Sequence, residues 1–382
     1  MLILLDCRPL QQEGRDSERS RFIISCVHIL SRERGIDWLF LADGALPVDW
    51  LPVSLGKLLP RRTLAGMGGW KLWYDWQLPL ATRRYKPDIV MTTAGIASGR
   101  LSVPQCVWMP ERVQGKGGKK KKYRRMYQKR LPGTLLRAQC IFTFSAKDKE
   151  FLISQVKEVG QSKSIGQSED VATRIFVVPP AVDSSPGPDP QEKKQVKETW
   201  SAGKEYFFTD IAAAGQKEIV ALLKSFSLFK KRQRSNMQLV LAGKGLAPDK
   251  ALADLLATYK YRGDIHWAPP LSEEEGLRLA GASYAILFPF EKDSLGLHLL
   301  NAWNTGVPVI TTTAVYPPEL AGEAVLLAQP GDPASLAAQL MLIYKDEGLR
   351  NQLIGKGVEQ GRTYSWERSA AIVWAGITAI NN

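Results

Sequence analysis

Short apolar runs alternate along the chain with longer segments in which apolar residues recur every three to four positions. In the first half the runs cover residues 2–5, 38–41, 89–92, 105–108, 140–144 and 175–178. In the second half they cover residues 206–208, 238–242, 264–267, 284–288, 308–311 and 324–327. Such runs, separated by segments of helical period, are typical of parallel strands joined by helices. The pattern predicts an α/β protein with two Rossmann-like, doubly wound halves.

The segments between the runs predict helices over residues 20–34, 217–230, 249–259, 272–280, 295–304 and 333–344, with two more helices before the C-terminus. Residues 184–190, Ser-Ser-Pro-Gly-Pro-Asp-Pro, interrupt the alternation and are typical of a linker. We expect an N-terminal domain over 1–185, a linker over 186–200, a C-terminal domain over 201–365 and a last segment over 366–382. Ligands of doubly wound folds bind beyond the carboxyl ends of the strands, so we expect a site in a cleft between the halves.

The composition is that of an ordinary globular protein and excludes a fibrous or disordered chain: 382 residues, 45% hydrophobic and 23% charged. Lys and Arg number 51 against 38 Asp and Glu, a formal charge of +13. Residues 112–130 hold ten basic residues and no acidic one, so most of the excess lies in this segment.

Cysteine usage argues against a disulfide scaffold or a zinc site. The four cysteines, Cys7, Cys26, Cys106 and Cys140, form no C-x-x-C pair and have no nearby His at metal spacing. No apolar run approaches the roughly 20 residues that span a bilayer. Residues 1–6 carry no basic segment before their apolar residues, which favours a buried strand over a signal peptide. We expect a cytoplasmic protein, with any contact to the inner membrane face peripheral.

One block in the second half supports a family resemblance. Residues 289–310, Pro-Phe-Glu-Lys-Asp-Ser-Leu-Gly-Leu-His-Leu-Leu-Asn-Ala-Trp-Asn-Thr-Gly-Val-Pro-Val-Ile, resemble the signature of family-4-type retaining glycosyltransferases of the GT-B fold (glycosyl transferases group 1). Residues 239–243, 271–276, 318–319, 329–333 and 364–366 resemble further family motifs at the family's spacing. Residues 86–90, 143–145 and 178–183 match weaker patterns in the first half.

The resemblance implies two Rossmann-like domains facing a cleft and a C-terminal helix that crosses back to the N-terminal domain. It implies transfer of a sugar from a nucleotide-sugar to an acceptor hydroxyl with retention, in polysaccharide, cell-envelope or glycoconjugate assembly. The acceptor would be a glycan, a lipid-linked molecule or a small molecule. The nucleotide-sugar is then a substrate, and neither a cofactor nor a metal is expected. The alternative is a catalytically silent GT-B protein that acts as a binding or partner subunit.

The resemblance also assigns donor-site residues. Asp293 would address the transferred sugar, with Glu291 nearby as a substitute, and Asn301 would hold the ribose where the family has an acid. Eight residues of helix rise about 12 Å, which is comparable to the reach from sugar to ribose. The other reading is an ordinary helix N-terminus capped by Asp293. The remaining donor-side residues implied are Gly243, Lys244, Ser294, Leu295, Gly296, Leu297 and His298.

Lys217 matches the family's phosphate lysine and would stabilise the leaving diphosphate; the alternative is a solvated residue of the first helical turn. The family's partner Arg falls at Ile211, so a second cation would come from Lys244 or from the basic segment. The resemblance thus gives Lys217, Asp293 and Glu291 as the catalytic candidates.

On the acceptor side the resemblance points to Gly14 and Arg21, in the loop and helix that follow the first strand. Ser20 stands where the family has glycine. The family's His falls at Met109 or Pro110 in this sequence, and Glu111 is the nearest ionisable group.

The basic loop comprises Lys119, Lys120, Lys121, Lys122, Arg124 and Arg125 with their neighbours, and two preceding glycines predict that it is mobile. Three interpretations remain open: guidance of an anionic acceptor, docking on an anionic membrane surface, or a solvated loop. Because the sequence shows no hydrophobic anchor, we expect any membrane binding to be purely electrostatic. Nothing beyond charge supports nucleic acid as a partner.

Overall fold

The computed structural model describes residues 1–14, 17–43, 46, 50, 56–60, 67–110, 118–160, 167–182, 187–211, 214–243, 250–289, 296–313 and 318–380. The chain divides into two compact units. The first comprises residues 1–181 and 365–382, and the second comprises residues 182–364. Each unit has its own parallel sheet and its own hydrophobic core.

The described strands of the first unit are β1 (Leu2–Asp6), β2 (Asp37–Ala42), β3 (Gly56–Pro60), β4 (Ile89–Thr92), β5 (Gln105–Trp108), β6 (Cys140–Thr143) and β7 (Ile175–Val177). They pair in the order β3-β2-β1-β4-β5-β6-β7. The helices are α1 (Arg8–Glu13), α2 (Glu18–Arg34), α3 (Met67–Leu72), α4 (Leu78–Tyr85), α5 (Gly118–Arg137), α6 (Ala146–Gly160) and α7 (Gln167–Thr173). A π-helical turn (Trp73–Gln77) joins α3 to α4.

The second unit has strands β8 (Tyr206–Asp210), β9 (Gln238–Ala242), β10 (Ile265–Trp267), β11 (Ala285–Phe288), β12 (Val309–Thr312) and β13 (Val325–Ala328). They pair in the order β10-β9-β8-β11-β12-β13. Its helices are α8 (Pro190–Ser201), α9 (Gln216–Gln233), α10 (Lys250–Thr258), α11 (Glu273–Gly281), α12 (Leu297–Asn304), α13 (Pro318–Ala321), α14 (Pro333–Lys345) and α15 (Glu347–Arg362). The predicted α/β class with two doubly wound sheets is confirmed.

The strand order creates one switch point in each sheet. The chain leaves β1 toward β2 and β3 on one side, and β4 to β7 then extend the other side. In the second unit β8 to β10 extend one side and β11 to β13 the other. The two crevices therefore lie beyond the carboxyl ends of β1 and β4, and of β8 and β11.

The C-terminal helix α16 (Trp366–Thr378) belongs to the first unit, as predicted. The Trp366 ring stacks on Phe22 of α2 with centroids 5.5 Å apart, and Ser369 Oγ donates to the Pro179 carbonyl over 2.8 Å. A Cβ at Gly376 would lie 2.7 Å from the Phe142 ring, so glycine is what allows α16 to approach β6.

The stretch predicted as a linker contains a helix, because α8 begins at Pro190. The Asp189 carboxylate accepts hydrogen bonds from the Gln191 and Glu192 amides, each at 2.8 Å, and Pro190 occupies the first helical position. A capping acid followed by proline is a helix-start signal that the Pro/Gly-rich composition obscured.

All four cysteines are free, as their spacing predicts, and the structure shows that all four are also buried. Each helix that the structure describes is too short or too polar to cross a bilayer.

Candidate functional site

In the second unit the chain turns inward after β8. The Ile211 amide donates to the Ala242 carbonyl over 2.7 Å, and the Ile211 side chain is fully buried in the core beneath α9. The position at which the resemblance would place an arginine is therefore a core position. An arginine there would need a charged partner in the core.

The N-terminus of α9 follows this turn and places Lys217 at the crevice edge. The Glu218 carboxylate accepts from the Gly215 amide over 2.5 Å, which fixes the first turn. Lys217 is exposed in that turn. The positive end of a helix dipole and a flexible ammonium group together suit an anion.

The N-terminus of α12 lies after β11, across the switch point from β8. Gly296 precedes the helix with φ +74°, a left-handed conformation that favours glycine. His298 is exposed and its ring centroid lies 5.7 Å from that of Phe288, while Asn301 is half-buried one turn further on. Leu297 is buried and packs inward.

A rise of about 12 Å along the helix axis between Asp293 and Asn301 requires one continuous helix over these residues. The helix instead begins at Leu297, so this rise cannot be applied to the residues before Leu297. Five predicted donor-side residues lie outside the described residues: Lys244, Glu291, Asp293, Ser294 and Leu295. Gly243 directly follows β9. The structure thus brings Lys217, Gly243 and Gly296 to the carboxyl edge of one sheet.

A cavity of about 510 Å³ in the same unit lies elsewhere, next to the amino ends of β8 and β9. The cations around it include Lys230, which is buried. Its ammonium group already donates to the Ser235 and Met237 carbonyls and forms an ion pair with Asp264. The cavity lies at the opposite end of the strands from the switch point, so it is not the candidate site.

The first unit carries a buried charged cluster at its own switch point, which sequence analysis did not assign. The carboxylate of Asp6 accepts from Trp73 Nε1 at 3.0 Å and from the Tyr74 hydroxyl at 3.1 Å. Burial raises the pKa of Asp6, and the charge of Arg8 with these two hydrogen bonds offsets part of that increase.

Arg8 is the cation of this cluster and is only 2% exposed. Its Nε lies 3.7 Å from Asp6 Oδ1, and its guanidinium stacks 3.5 Å from the Trp73 ring centroid. Nε and Nη2 have no hydrogen-bond partner among the described residues. A guanidinium stays charged in proteins, so these N–H groups are buried donors without acceptors.

Arg19 supplies a second buried cation at the same edge. Its Nη1 pairs with Glu13 at 2.6 Å, and its Nη2 donates to the Thr93 carbonyl at the end of β4. The Thr93 hydroxyl in turn donates to the Asp6 carbonyl over 2.8 Å. The cluster therefore ties β1 to β4 across the switch point. The signal in the sequence was a charged pair placed directly after an apolar strand.

The predicted acceptor-side residues have different fates. Gly14 ends α1 with φ +99°, and Arg21 is exposed on the first turns of α2. Ser20 needs no glycine in its place, because its buried hydroxyl donates to the Leu10 carbonyl over 3.3 Å. Met109 is 2% exposed and packs in the core under α5, so the structure gives it to the core rather than to a crevice. Glu111 lies outside the described residues.

Much of the predicted basic loop is helical, because α5 begins at Gly118 and includes Lys119 to Arg125. Lysine and arginine have a high helix propensity, although a run of like charges is typical of a loop. Further along α5, Arg130 forms a two-pronged pair with Asp75, with Nη2–Oδ2 at 3.1 Å. The beginning of this basic segment, residues 112–117, lies outside the described residues.

The histidines and acids form no metal centre in the described ranges, where no group of three His, Cys, Asp or Glu is placed to hold an ion. His28 contacts the Trp50 carbonyl at 3.2 Å, and His266 contacts Gln238 Oε1 at 2.9 Å. Burial lowers the pKa of His266. Neither residue lies at a switch point.

The architecture resembles solved glycosyltransferases along its whole length. It matches the crystal structure of a glycosyltransferase from Rickettsia africae with TM-score 0.76 and 14% identity, covering 100% of this chain and 99% of that one. It matches Anabaena HepE in complex with UDP with TM-score 0.73 and 11% identity, covering 99% of each chain. The fold is therefore GT-B, an α/β fold of two Rossmann-like domains.

The second unit is also similar in sequence to known glycosyltransferases. Residues 190–360 match the family model of Glycosyl transferases group 1. A stretch of 152 residues is 28% identical to the O-antigen chain mannosyltransferase B of Escherichia coli, covering 40% of this chain. The chain spans 40% of the length of that relative.

Proposed function

We propose that this protein is a glycosyltransferase that moves a sugar from a nucleotide-sugar to an acceptor hydroxyl with retention at the anomeric carbon. The observation that carries the proposal is the crevice between β8 and β11. Within the stretch that matches the family, it combines the N-terminus of α9, the exposed Lys217 and the left-handed Gly296. We further propose a role in polysaccharide, cell-envelope or glycoconjugate assembly, because the relative is an O-antigen enzyme.

In this reaction the bond between the anomeric carbon and the diphosphate oxygen breaks, and a bond to the acceptor oxygen forms. The acceptor proton leaves with the diphosphate, on which negative charge develops. In this proposal Lys217 and the N-terminus of α9 stabilise that charge, which lowers the barrier. This arrangement needs no metal ion, and we propose that none takes part.

The other donor-side roles are also part of the proposal. Gly296 lets the backbone approach the diphosphate closely, and Asn301 hydrogen-bonds the ribose with an amide. Asp293 and Glu291 address the sugar, and His298 lines the donor pocket beside Phe288. UDP in the HepE structure supports a nucleoside diphosphate as the ligand of this crevice.

For the acceptor we propose the crevice of the first unit. Arg8 offers two unpaired N–H groups of a planar fork, a geometry that matches a carboxylate or phosphate oxygen pair. An acceptor with such a group would satisfy these donors, and the Trp73 ring beneath the guanidinium holds the fork in place. This makes an anionic acceptor the favoured class.

A thermal-shift screen with UDP-, GDP- and ADP-sugars tests the donor assignment. A ligand at 100 times its dissociation constant adds about 2.7 kcal/mol of stability, so the matching nucleotide should raise Tm by several degrees. Inorganic phosphate at equal ionic strength serves as the control. If no nucleotide raises Tm above that control, the proposal fails.

The buried Ile211 favours a second candidate, a silent GT-B subunit that binds a nucleotide or a partner without turnover. The position where the resemblance expects an arginine holds Ile211, and the Ile211 side chain is part of the core. The two candidates separate in one assay. Release of free nucleoside diphosphate from the donor that raises Tm supports the enzyme, whereas binding without release supports the silent subunit.

A further inference from the structure

The most exposed large apolar side chains in the described part of the chain lie in one unit. Trp76, Leu80 and Leu136 are 56%, 51% and 46% exposed, and all three belong to the first unit. A single exposed leucine needs no explanation, but a tryptophan accompanied by two leucines is a candidate contact surface.

Trp76 and Leu80 lie about one turn apart where the π-helical turn continues into α4. The opposite side of this helix is also apolar, because Trp73, Tyr74 and Leu78 are fully buried. A helix that only covers a core would carry polar residues on its outer face. The outward tryptophan and leucine are therefore not accounted for by packing within the unit.

The loop at residues 98–100 contacts both this helix and the C-terminal end of α5. Ser98 Oγ donates to the Tyr74 carbonyl over 2.5 Å, and the Arg100 guanidinium lies 4.7 Å from the Trp76 ring centroid. A Cβ at Gly99 would lie 3.6 Å from Arg137 Cζ, and Arg137 directly follows Leu136. Trp76 and the last turn of α5, which carries Leu136, thus lie beside the same loop.

Exposed cations surround these apolar groups. Arg83, Arg84, Arg100 and Arg137 are exposed, whereas Asp75 is already paired with Arg130. The same helix α5 begins with Lys119 to Lys122, about 12–16 Å along its axis from Arg130 at 1.5 Å per residue. Tryptophan, leucine and arginine side by side are the chemistry of the membrane–water interface.

We propose that Trp76, Leu80 and Leu136 form an apolar anchor that enters the interfacial layer of an anionic lipid bilayer. The exposed arginines of this patch contact lipid phosphates, each cation contributing about 1 kcal/mol near the surface. The occupant is a bilayer because the patch pairs apolar insertion with cations. This inference does not depend on sugar transfer. It differs from the expectation of purely electrostatic binding, because insertion of the anchor would withstand salt.

Co-sedimentation of the full-length protein with vesicles tests the anchor. The vesicles are phosphatidylcholine alone, and phosphatidylcholine with 30% phosphatidylglycerol (roughly the charge of an anionic leaflet), each at low salt and at about 0.5 M NaCl, where exposed charges are screened. We expect the parent to bind the anionic vesicles at low salt and to retain a clear fraction at high salt. The double variant Trp76→Ser/Leu80→Ser should lose about tenfold or more in partitioning, and the whole salt-resistant fraction with it.

Two further variants make the result specific. Leu255→Ser/Leu342→Ser removes two exposed leucines from helices of the second unit and should bind like the parent. Replacing Lys119 to Lys122 with Ser should reduce low-salt binding and leave the high-salt fraction. Because Trp76, Leu80, Leu255 and Leu342 are exposed, circular dichroism should show an unchanged fold for the variants at these positions. The same measurement should show that the lysine variant keeps the fold.

Three results would overturn the proposal. The first is no sedimentation of the parent with either vesicle, and the second is loss of all binding at high salt, which leaves attraction by charge alone. The third is equal binding of the parent and Trp76→Ser/Leu80→Ser. A parent that is dimeric in size-exclusion chromatography, together with a monomeric double variant and no vesicle binding, would assign the patch to a second copy of the chain instead.

Discussion

The first strands of the two units end in the same way and are followed by different chemistry. Both β1 and β8 finish with an aspartate, and in both the next amide donates to the neighbouring strand: Cys7 to Leu41 at 2.9 Å and Ile211 to Ala242 at 2.7 Å. In the first unit Asp6 is fully buried beside the buried cation Arg8. In the second unit the nearest following cation is the exposed Lys217, at the start of α9.

If both proposed roles hold, one backbone plan accommodates two kinds of anion receptor. A buried guanidinium stacked on an indole is held rigidly and selects by shape, since its donors point in fixed directions. An exposed lysine on a helix start is a mobile point charge, which can follow a diphosphate as its charge grows. We relate the first receptor to acceptor recognition and the second to the chemical step.

The largest effect is expected from Arg8→Met, which removes the buried cation but keeps a long apolar side chain. Asp6 then lies buried without its ion-pair partner, so unfolding free energy at pH 7 should fall by about 3–5 kcal/mol in urea denaturation. The difference from the parent should shrink near pH 4, where Asp6 binds a proton more readily. The exposed pair Arg278–Glu274 provides the control, since Arg278→Ala should cost less than about 1 kcal/mol. An equal loss for both variants would remove the distinction between the two receptors.

Lys217→Ala tests the receptor of the second unit. We expect turnover to fall on the order of 100-fold, with a smaller change in donor affinity, because the charge matters most as the diphosphate leaves. Stability should not change, since the side chain is exposed. Lys224→Ala, on the same helix and also exposed, should leave turnover intact. Unchanged turnover in Lys217→Ala would exclude Lys217 from the site.

Asn301→Glu asks whether the donor lies as the resemblance implies. A carboxylate accepts ribose hydroxyl hydrogen bonds more strongly than an amide, so nucleotide affinity should rise about tenfold in isothermal titration calorimetry. Asn304→Glu adds the same charge to the same helix and should not change affinity. Weaker binding by Asn301→Glu would mean that the pocket has a different shape.

The smallest effect concerns pH. Because burial raises the pKa of Asp6, the folded state holds this proton to higher pH than the unfolded state, whose carboxyl titrates near 3.8. The contribution of Asp6 to stability is therefore greatest below pH 3.8 and declines as pH rises through the folded pKa. Asp6→Asn should remove this decline from a plot of unfolding free energy against pH. Asp210→Asn, at the matching position of β8, is the control, and an unchanged slope in Asp6→Asn would contradict the argument.

The fold was predictable because burial on both faces gives parallel strands continuous apolar runs. β4, β5 and β9 begin and end at the predicted residues. β3 was missed because it is an edge strand of five residues that contains Gly, Lys and Pro, which carry little strand signal. The run of like charges at Lys119 to Lys122 predicts a loop, but the structure shows that these residues belong to α5.

The sites were less predictable, because sequence spacing does not show which long-range partners meet. The family resemblance pointed to Lys217, and the structure places this residue in the first turn of α9 after β8. The Arg8 cluster could not be predicted, because the hydrogen bonds that Asp6 accepts from Trp73 and Tyr74 join residues more than 60 positions apart. Met109 was expected near a crevice because it follows β5, yet its side chain faces the core.

The membership of α16 in the first unit has a consequence for biosynthesis. The second unit is one continuous stretch of chain and can fold as soon as it is made, whereas the first unit lacks its last helix until residues 365–382 have also been made. Until Trp366 arrives, the ring of Phe22 lacks its stacking partner, and β6 lacks the helix that covers it at Gly376. A ribosome-bound chain therefore presents a finished second unit and an open first one, and the late helix closes the N-terminal core.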